Sequence, residues 1–181
     1  MLLGYLLAFP LLSAGFPQTQ DACAPMLPKD LQLLVARRIP GYHLPKQSDN
    51  LPEDIGVHVA HGRNGCLGIA TGDFNGDGQK DFTFLVTSDK DVWLVVAFRR
   101  ADGWRVDKVW QAGEASSRMR LYVDVAPPGK YDDLGLAEKP EPGQIDTFTS
   151  KADVVVTGAT ESTAIAFWKG PKGWVHVWLS D

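Results

Sequence analysis

The chain predicts a mainly β fold: antiparallel meander and hairpin sheets, each resembling a propeller blade, with one short N-terminal helix. Three observations carry this. From Phe82 onward, apolar or alternating runs of five to seven residues recur, each bounded by Gly, Asp, Asn, Pro or Ser. Only one segment shows helical periodicity. A glycine- and aspartate-rich loop, Gly72 to Asp81, stands between two strand-like runs.

The first fifteen residues, MLLGYLLAFPLLSAG, are an apolar run too short and too Pro-broken to span a bilayer. They read as the apolar region of a signal peptide, with Ser13 and Gly15 as the small residues before cleavage. No Lys or Arg precedes the run. Residues 16–181 are then one β-rich domain, of a size that supports a core. Phe16 to Pro28 reads as extended. Asp30 to Arg38 places Leu31, Leu34 and Val35 on one face and Arg37 and Arg38 at the C-terminal end, where the helix dipole favours cations. Pro40 ends that helix.

Tyr42 to Gly56 reads as irregular. Val57 to Ala60 reads as a short strand that carries His58, with His61 following. On a strand, residues three apart point to opposite faces, so this H-x-x-H pair reads as structural and not as a zinc site. Gly65 to Ala70 leads into the loop. Strands follow at Phe82–Val86, Val92–Phe98, Trp104–Trp110 and Met119–Val125. Turns at Ser88–Asp91 and Arg99–Gly103 separate the first three, and Gln111–Ser117 breaks the meander. Val92–Phe98 is apolar throughout, which suits burial on both faces. Pro127 to Ser150 reads as a long loop. Its acidic residues Asp132, Asp133, Glu138 and Glu141 read as solvated charge, since nothing apolar nearby would raise a carboxylate pKa. Asp153–Thr157, Thr163–Trp168 and Trp174–Leu179 close the chain. VWLVVAFRRADGWRVDKVW and STAIAFWKGPKGWVHVWLS echo each other: apolar strand, cationic turn, Gly-Trp, alternating strand.

The loop specifies a chemistry. Asp73, Asn75, Asp77 and Asp81 place oxygen-bearing side chains at loop positions 1, 3, 5 and 9, and Gln79 at position 7 offers its carbonyl. Gly78 permits the sharp turn. Calcium takes six to eight such oxygens. Turn chemistry alone explains the glycines but not the acidic or amide residues at alternate positions. Phe84 stands where an EF-hand has its bidentate Glu, and a strand pattern follows, so the loop is not an EF-hand.

GDFNGDGQKDFTFLV resembles the FG-GAP/VCBS-type repeat, the integrin-like calcium loop between two strands. The resemblance covers Gly68 to Val86 and occurs once. It implies a calcium-binding strand–loop–strand unit with Asp73, Asn75, Asp77, Gln79 and Asp81 as ligands. It does not imply a complete propeller. The whole chain is also similar to small exported bacterial proteins with a single such motif and no assigned activity.

Cys23 and Cys66 are the two cysteines, and in an exported protein an even count favours a disulfide. Such a bridge stabilises by roughly 3–4 kcal/mol in the chain-entropy picture. The net charge of −4 and the absence of a basic stripe in the sequence argue against nucleic acid as a partner. No Gly-x-Ser-x-Gly elbow, HExxH, P-loop or dinucleotide fingerprint is present, so the chain reads as a non-enzyme. Trp174, His176 and Trp178 share one face of the last strand. They form a candidate binding face for a carbohydrate or for another exported protein. A strand buried on both sides is the alternative reading. The expectation is thus an exported calcium-binding module, periplasmic or extracellular, with a structural or binding role. An inhibitor or interaction partner of another exported protein stands second, and a hydrolase with an unrecognised site third.

Overall fold

A computed structural model describes residues 21–135 and 139–180. The predicted signal segment and Glu138 lie outside the described residues. The fold is mainly β with antiparallel sheets. Its first helix, α1 (Lys29–Arg38), forms as its periodicity predicts and buries Leu31 and Val35. The bridge between Cys23 and Cys66 spans 43 residues and joins the segment before α1 to the approach to β1 (Ile69–Gly72).

The strand predicted at Val57–Ala60 is instead the last part of a second helix, α2 (Pro52–Ala60). The described residues therefore hold two α-helices where the sequence suggested one. Four apolar-rich residues fit either element; length and the starting residues decide. Here Pro52 opens the helix with its fixed φ, and Glu53 and Asp54 sit in the first turn, where the dipole favours anions.

The meander is as expected. β1, β2 (Asp81–Thr87), β3 (Asp91–Arg100) and β4 (Gly103–Glu114) form one antiparallel sheet in chain order. β4 runs to Glu114, so Gln111 does not break it. The break is a 3-10 segment, Ala115–Arg120. A second sheet has the order β10-β9-β8-β5, built from Gly173–Ser180, Ala164–Gly170, Val154–Ala159 and Leu121–Ala126. The Pro127–Ser150 stretch is not structureless. Gly129–Asp132 (β6) and Thr147–Ser150 (β7) pair as a two-stranded ribbon. Each strand is four residues long and its partner is distant in sequence, so periodicity gave no signal.

The two sheets face each other across one core. Val92, Leu94, Val96 and Phe98 of β3 meet Leu121 and Val123 of β5 and Ile165 and Phe167 of β9. The alternate β3 residues Val95 and Ala97 join Phe82, Phe84, Val86, the disulfide and α1 on the outer side of the first sheet. β3 is thus covered on both faces, as its apolar composition required. A third cluster, Phe148, Val154, Val156, Ala166 and Val177, lies between the second sheet and the ribbon. The sheets also touch edge to edge, where Val123 N–H donates to Leu67 O at 2.9 Å.

The two echoing segments form like hairpins, β3–β4 and β9–β10, each at one edge of its sheet. Their turns end on Gly103 and Gly173, with φ of 128° and 132°. A side chain rarely adopts that conformation, which accounts for a glycine at both places. Phe98 and Trp174 stack across the sandwich at 6.1 Å between these hairpins.

Candidate metal centre

The loop Asp73–Lys80 connects β1 and β2, whose last pair is Gly72 with Asp81. Gly76 and Gly78 have φ of 76° and 78°, the left-handed conformation that lets a short loop coil on itself. That coiling aims backbone N–H groups inward. Asp73 Oδ1 accepts from Gly76 N at 2.8 Å and Asp77 N at 3.1 Å, and its Oδ2 accepts from Gly78 N at 2.8 Å. Asn75 Oδ1 accepts from Asp77 N at 2.9 Å, and Asp77 Oδ1 accepts from Gln79 N at 2.8 Å. Asn75 Nδ2 donates to Asp77 Oδ2 at 3.0 Å. The predicted residues Asp73, Asn75 and Asp77 are therefore brought together.

Asp81 stands beneath the loop at the start of β2 and is fully buried. Its Oδ2 accepts from Phe74 N at 3.1 Å and its Oδ1 from Arg99 N at 2.8 Å. Burial pushes its carboxyl up to about 6, and the Asp77 and Asp73 carboxylates add to the rise, against the two N–H donors. Among the described residues, no Lys or Arg forms an ion pair with Asp73, Asp77 or Asp81. Arg99, whose backbone N–H meets Asp81, turns its guanidinium onto Asp30 at 3.3 Å and over the Trp104 ring.

This donor set fits a hard cation in kind. It is all oxygen, mixes carboxylate, amide and carbonyl, and carries negative charge without a protein counter-charge. The fit is one of chemistry and loop shape. Among the described residues, no group of three or more His, Cys, Asp or Glu side chains converges to hold a metal. The amide of Asn75 and the carbonyl of Gln79 lie outside that residue set.

A residue that sequence reasoning missed completes the frame. Asp153, just before β8, accepts from Asp73 N through Oδ2 at 2.9 Å, and its own N–H donates to Asp73 O at 3.0 Å. It clamps the loop to the second sheet. A side chain at Gly72 would meet Asp153 Oδ2 at 2.9 Å, so this clamp requires glycine there. Asp153 is eighty residues from Asp73, and no local pattern marks it.

His58 and His61 lie on or against α2, not on a strand, so the opposite-face argument does not hold. His58 Nδ1 accepts from Gly65 N at 3.2 Å, and the His61 ring lies 2.8 Å from Val57 O. Both rings are tied to local backbone. They border a cavity of about 760 Å³, beside the Arg63–Asp124 ion pair at 2.8 Å.

Trp174, His176 and Trp178 face into the space between the sheets. Trp174 stacks on Phe98 and donates Nε1 to Asp107 at 3.1 Å. Asp107 also receives Lys169 and Arg105, tying β4 to the β9–β10 hairpin. Trp178 packs against the central core. His176 is 2 % exposed, between the rings of Trp110 and Phe167. Residues 141–145 cover it: Ile145 N donates to His176 O at 3.0 Å. Asp133 holds that segment by accepting from Trp178 N and Gln144 Nε2, while Asp132 pairs with Lys130.

Burial holds His176 below its ordinary value of 6.5, and the nearby Glu141 and Asp133 carboxylates offset this only in part. A histidine held neutral in the fold but free to protonate when unfolded makes stability fall as pH drops below about 6.5. Urea melts at pH 7.5 and 5.5 check this. The lower pH is expected to cost the wild type more stability than His176→Gln, and the opposing gain from Asp81, whose carboxyl burial raises to about 6, is common to both.

No protein family matches this chain, no curated protein matches it, and no solved structure matches it.

Proposed function

We propose that this chain is an exported calcium-binding β module whose role is structural or ligand-binding. The observation that carries the reading is the coiled loop itself. Three backbone N–H groups hold the Asp73 carboxylate in place, Asn75 and Asp77 stand beside it, and Asp81 lies buried behind with no cation paired to it. A bound calcium would supply the missing positive charge. The protein's part is to hold the oxygens and to join the loop to both sheets, through Asp81 to β3 and through Asp153 to β8. The Cys23–Cys66 disulfide supports an oxidising compartment outside the cytosol. No helix of the described residues is long and apolar enough to cross a membrane.

Calorimetric titration of chelator-stripped protein with calcium tests the reading, alongside Asp77→Ala. Saturable binding is expected in the wild type and loss of it in the variant. Melting temperature should rise with calcium only in the wild type, with a stabilisation of about 2.7 kcal/mol at a hundredfold excess over Kd. Absence of binding in the wild type would reduce the loop to a hydrogen-bonded turn.

A further inference from the structure

We propose that the end of the sandwich around the Asp73–Lys80 loop is a groove for a linear acidic oligosaccharide. Three depressions lie there, of about 420, 550 and 630 Å³. They are contiguous: Asn75 lines the first two, and Lys169 lines the second and third. The tips of the two like hairpins and the loop form the groove's walls.

Charge selects the ligand. Arg100 lines the first depression, Lys151 and Lys169 the second, and Arg105, Lys169 and Lys172 the third. Three carboxylates line the same depressions, Asp77, Asp102 and Asp107, and Asp73 and Asp81 stand behind Asp77 in the loop. Asp107 is already held by Lys169, Arg105 and Trp174. Among the described residues, Arg100, Lys151 and Lys172 have no ion-pair partner. A protein of net charge −4 thus gathers cations along one groove, which focuses an anion there.

The neutral lining selects a sugar among anions. Gln79 and Thr149 are exposed there and offer both donors and acceptors, which suits a chain of hydroxyls. Trp168 and Trp174 border the groove, but each already stacks on a phenylalanine, Phe148 and Phe98. They serve as ring edges and not as open platforms for bases, so a single-stranded nucleic acid fits less well. The inference does not depend on a metal in the loop.

The test is binding of a fluorescent hexameric oligogalacturonate to the full chain, in calcium and in chelator. Saturable binding that weakens with salt is expected in both. Arg100→Glu/Lys172→Glu changes two groups with no ion pair to lose, and should weaken binding about tenfold or more in both buffers. Arg38→Glu on α1, outside the groove, should leave it unchanged. A neutral glucose hexamer should not compete. The proposal is overturned if the wild type does not bind, if Arg38→Glu weakens binding as much as the double variant, or if an oligonucleotide of equal charge binds as tightly. Because the double variant is read in chelator as well, this outcome is separate from the calcium titration.

Discussion

Replacing Cys23 and Cys66 together by Ala should lower the stability of the chain by about 4 kcal/mol, the chain-entropy value for a closed loop of this length. For a chain of this size that corresponds to a fall in melting temperature of roughly 8–16 °C. The bridge closes 43 residues and both sulfurs lie in the cluster formed by Leu27, Leu31, Val35 and the outer face of the first sheet. Without it, the N-terminal segment is held by the burial of Leu27, Leu31 and Val35 and by the exposed contacts of Asp30 with Arg99 and Trp104. Hydrogen exchange should therefore show α1 amides opening well before those of β2 and β3, which are buried on both faces. Denaturant melts of oxidised wild type and the double variant measure the first effect. A difference below 1 kcal/mol would show that the unfolded chain is already compact around this segment.

Asp81→Ala should cost about 3 kcal/mol in calcium and less in chelator. The carboxylate accepts two backbone N–H groups, from Phe74 and Arg99, and both lie in the packed start of the first sheet. An orphaned buried donor costs about 1–3 kcal/mol. Removing the carboxylate also relieves its repulsion by Asp73 and Asp77, which offsets part of that loss when no cation is present. In calcium the wild type gains and the variant does not, so the gap widens. Asp81→Asn keeps one acceptor and turns an amide N–H₂ toward the other donor, so an intermediate loss is expected. Melts of all three proteins in calcium and in chelator decide the matter. Equal stability of Asp81→Ala and wild type in both buffers would sink both the structural and the metal-binding role given to this residue.

Much of the architecture was legible locally. α1, β2 to β4 and β8 to β10 appear in the sequence because each carries enough apolar residues at one period to declare its type. The loop was legible because oxygen-bearing side chains stand at alternate positions within nine residues, the pattern from which calcium binding is proposed. The disulfide followed from a count of two. α2 is not legible because four apolar-rich residues carry no period and its start, Pro52-Glu53-Asp54, has the composition of a loop. The β6–β7 ribbon was missed because neither four-residue strand has meaning without the other.

What lies between distant segments was decided only in three dimensions. The last-strand face, Trp174, His176 and Trp178, has the same alternation whether it meets solvent or a second sheet. Packing opposite Phe98, Trp110 and Phe167 turned it inward. The Asp153 clamp, the Asp107 hub and the cations that share the loop's end of the sandwich each join residues 60 or more positions apart. The sequence by itself determined α1, the longer strands, the pairing of its two cysteines and the one loop with oxygen-bearing side chains at alternate positions. The tertiary structure alone decided which faces are covered and which charges become neighbours. Period and turn chemistry act over a few residues, whereas burial and charge pairing depend on what the fold brings alongside.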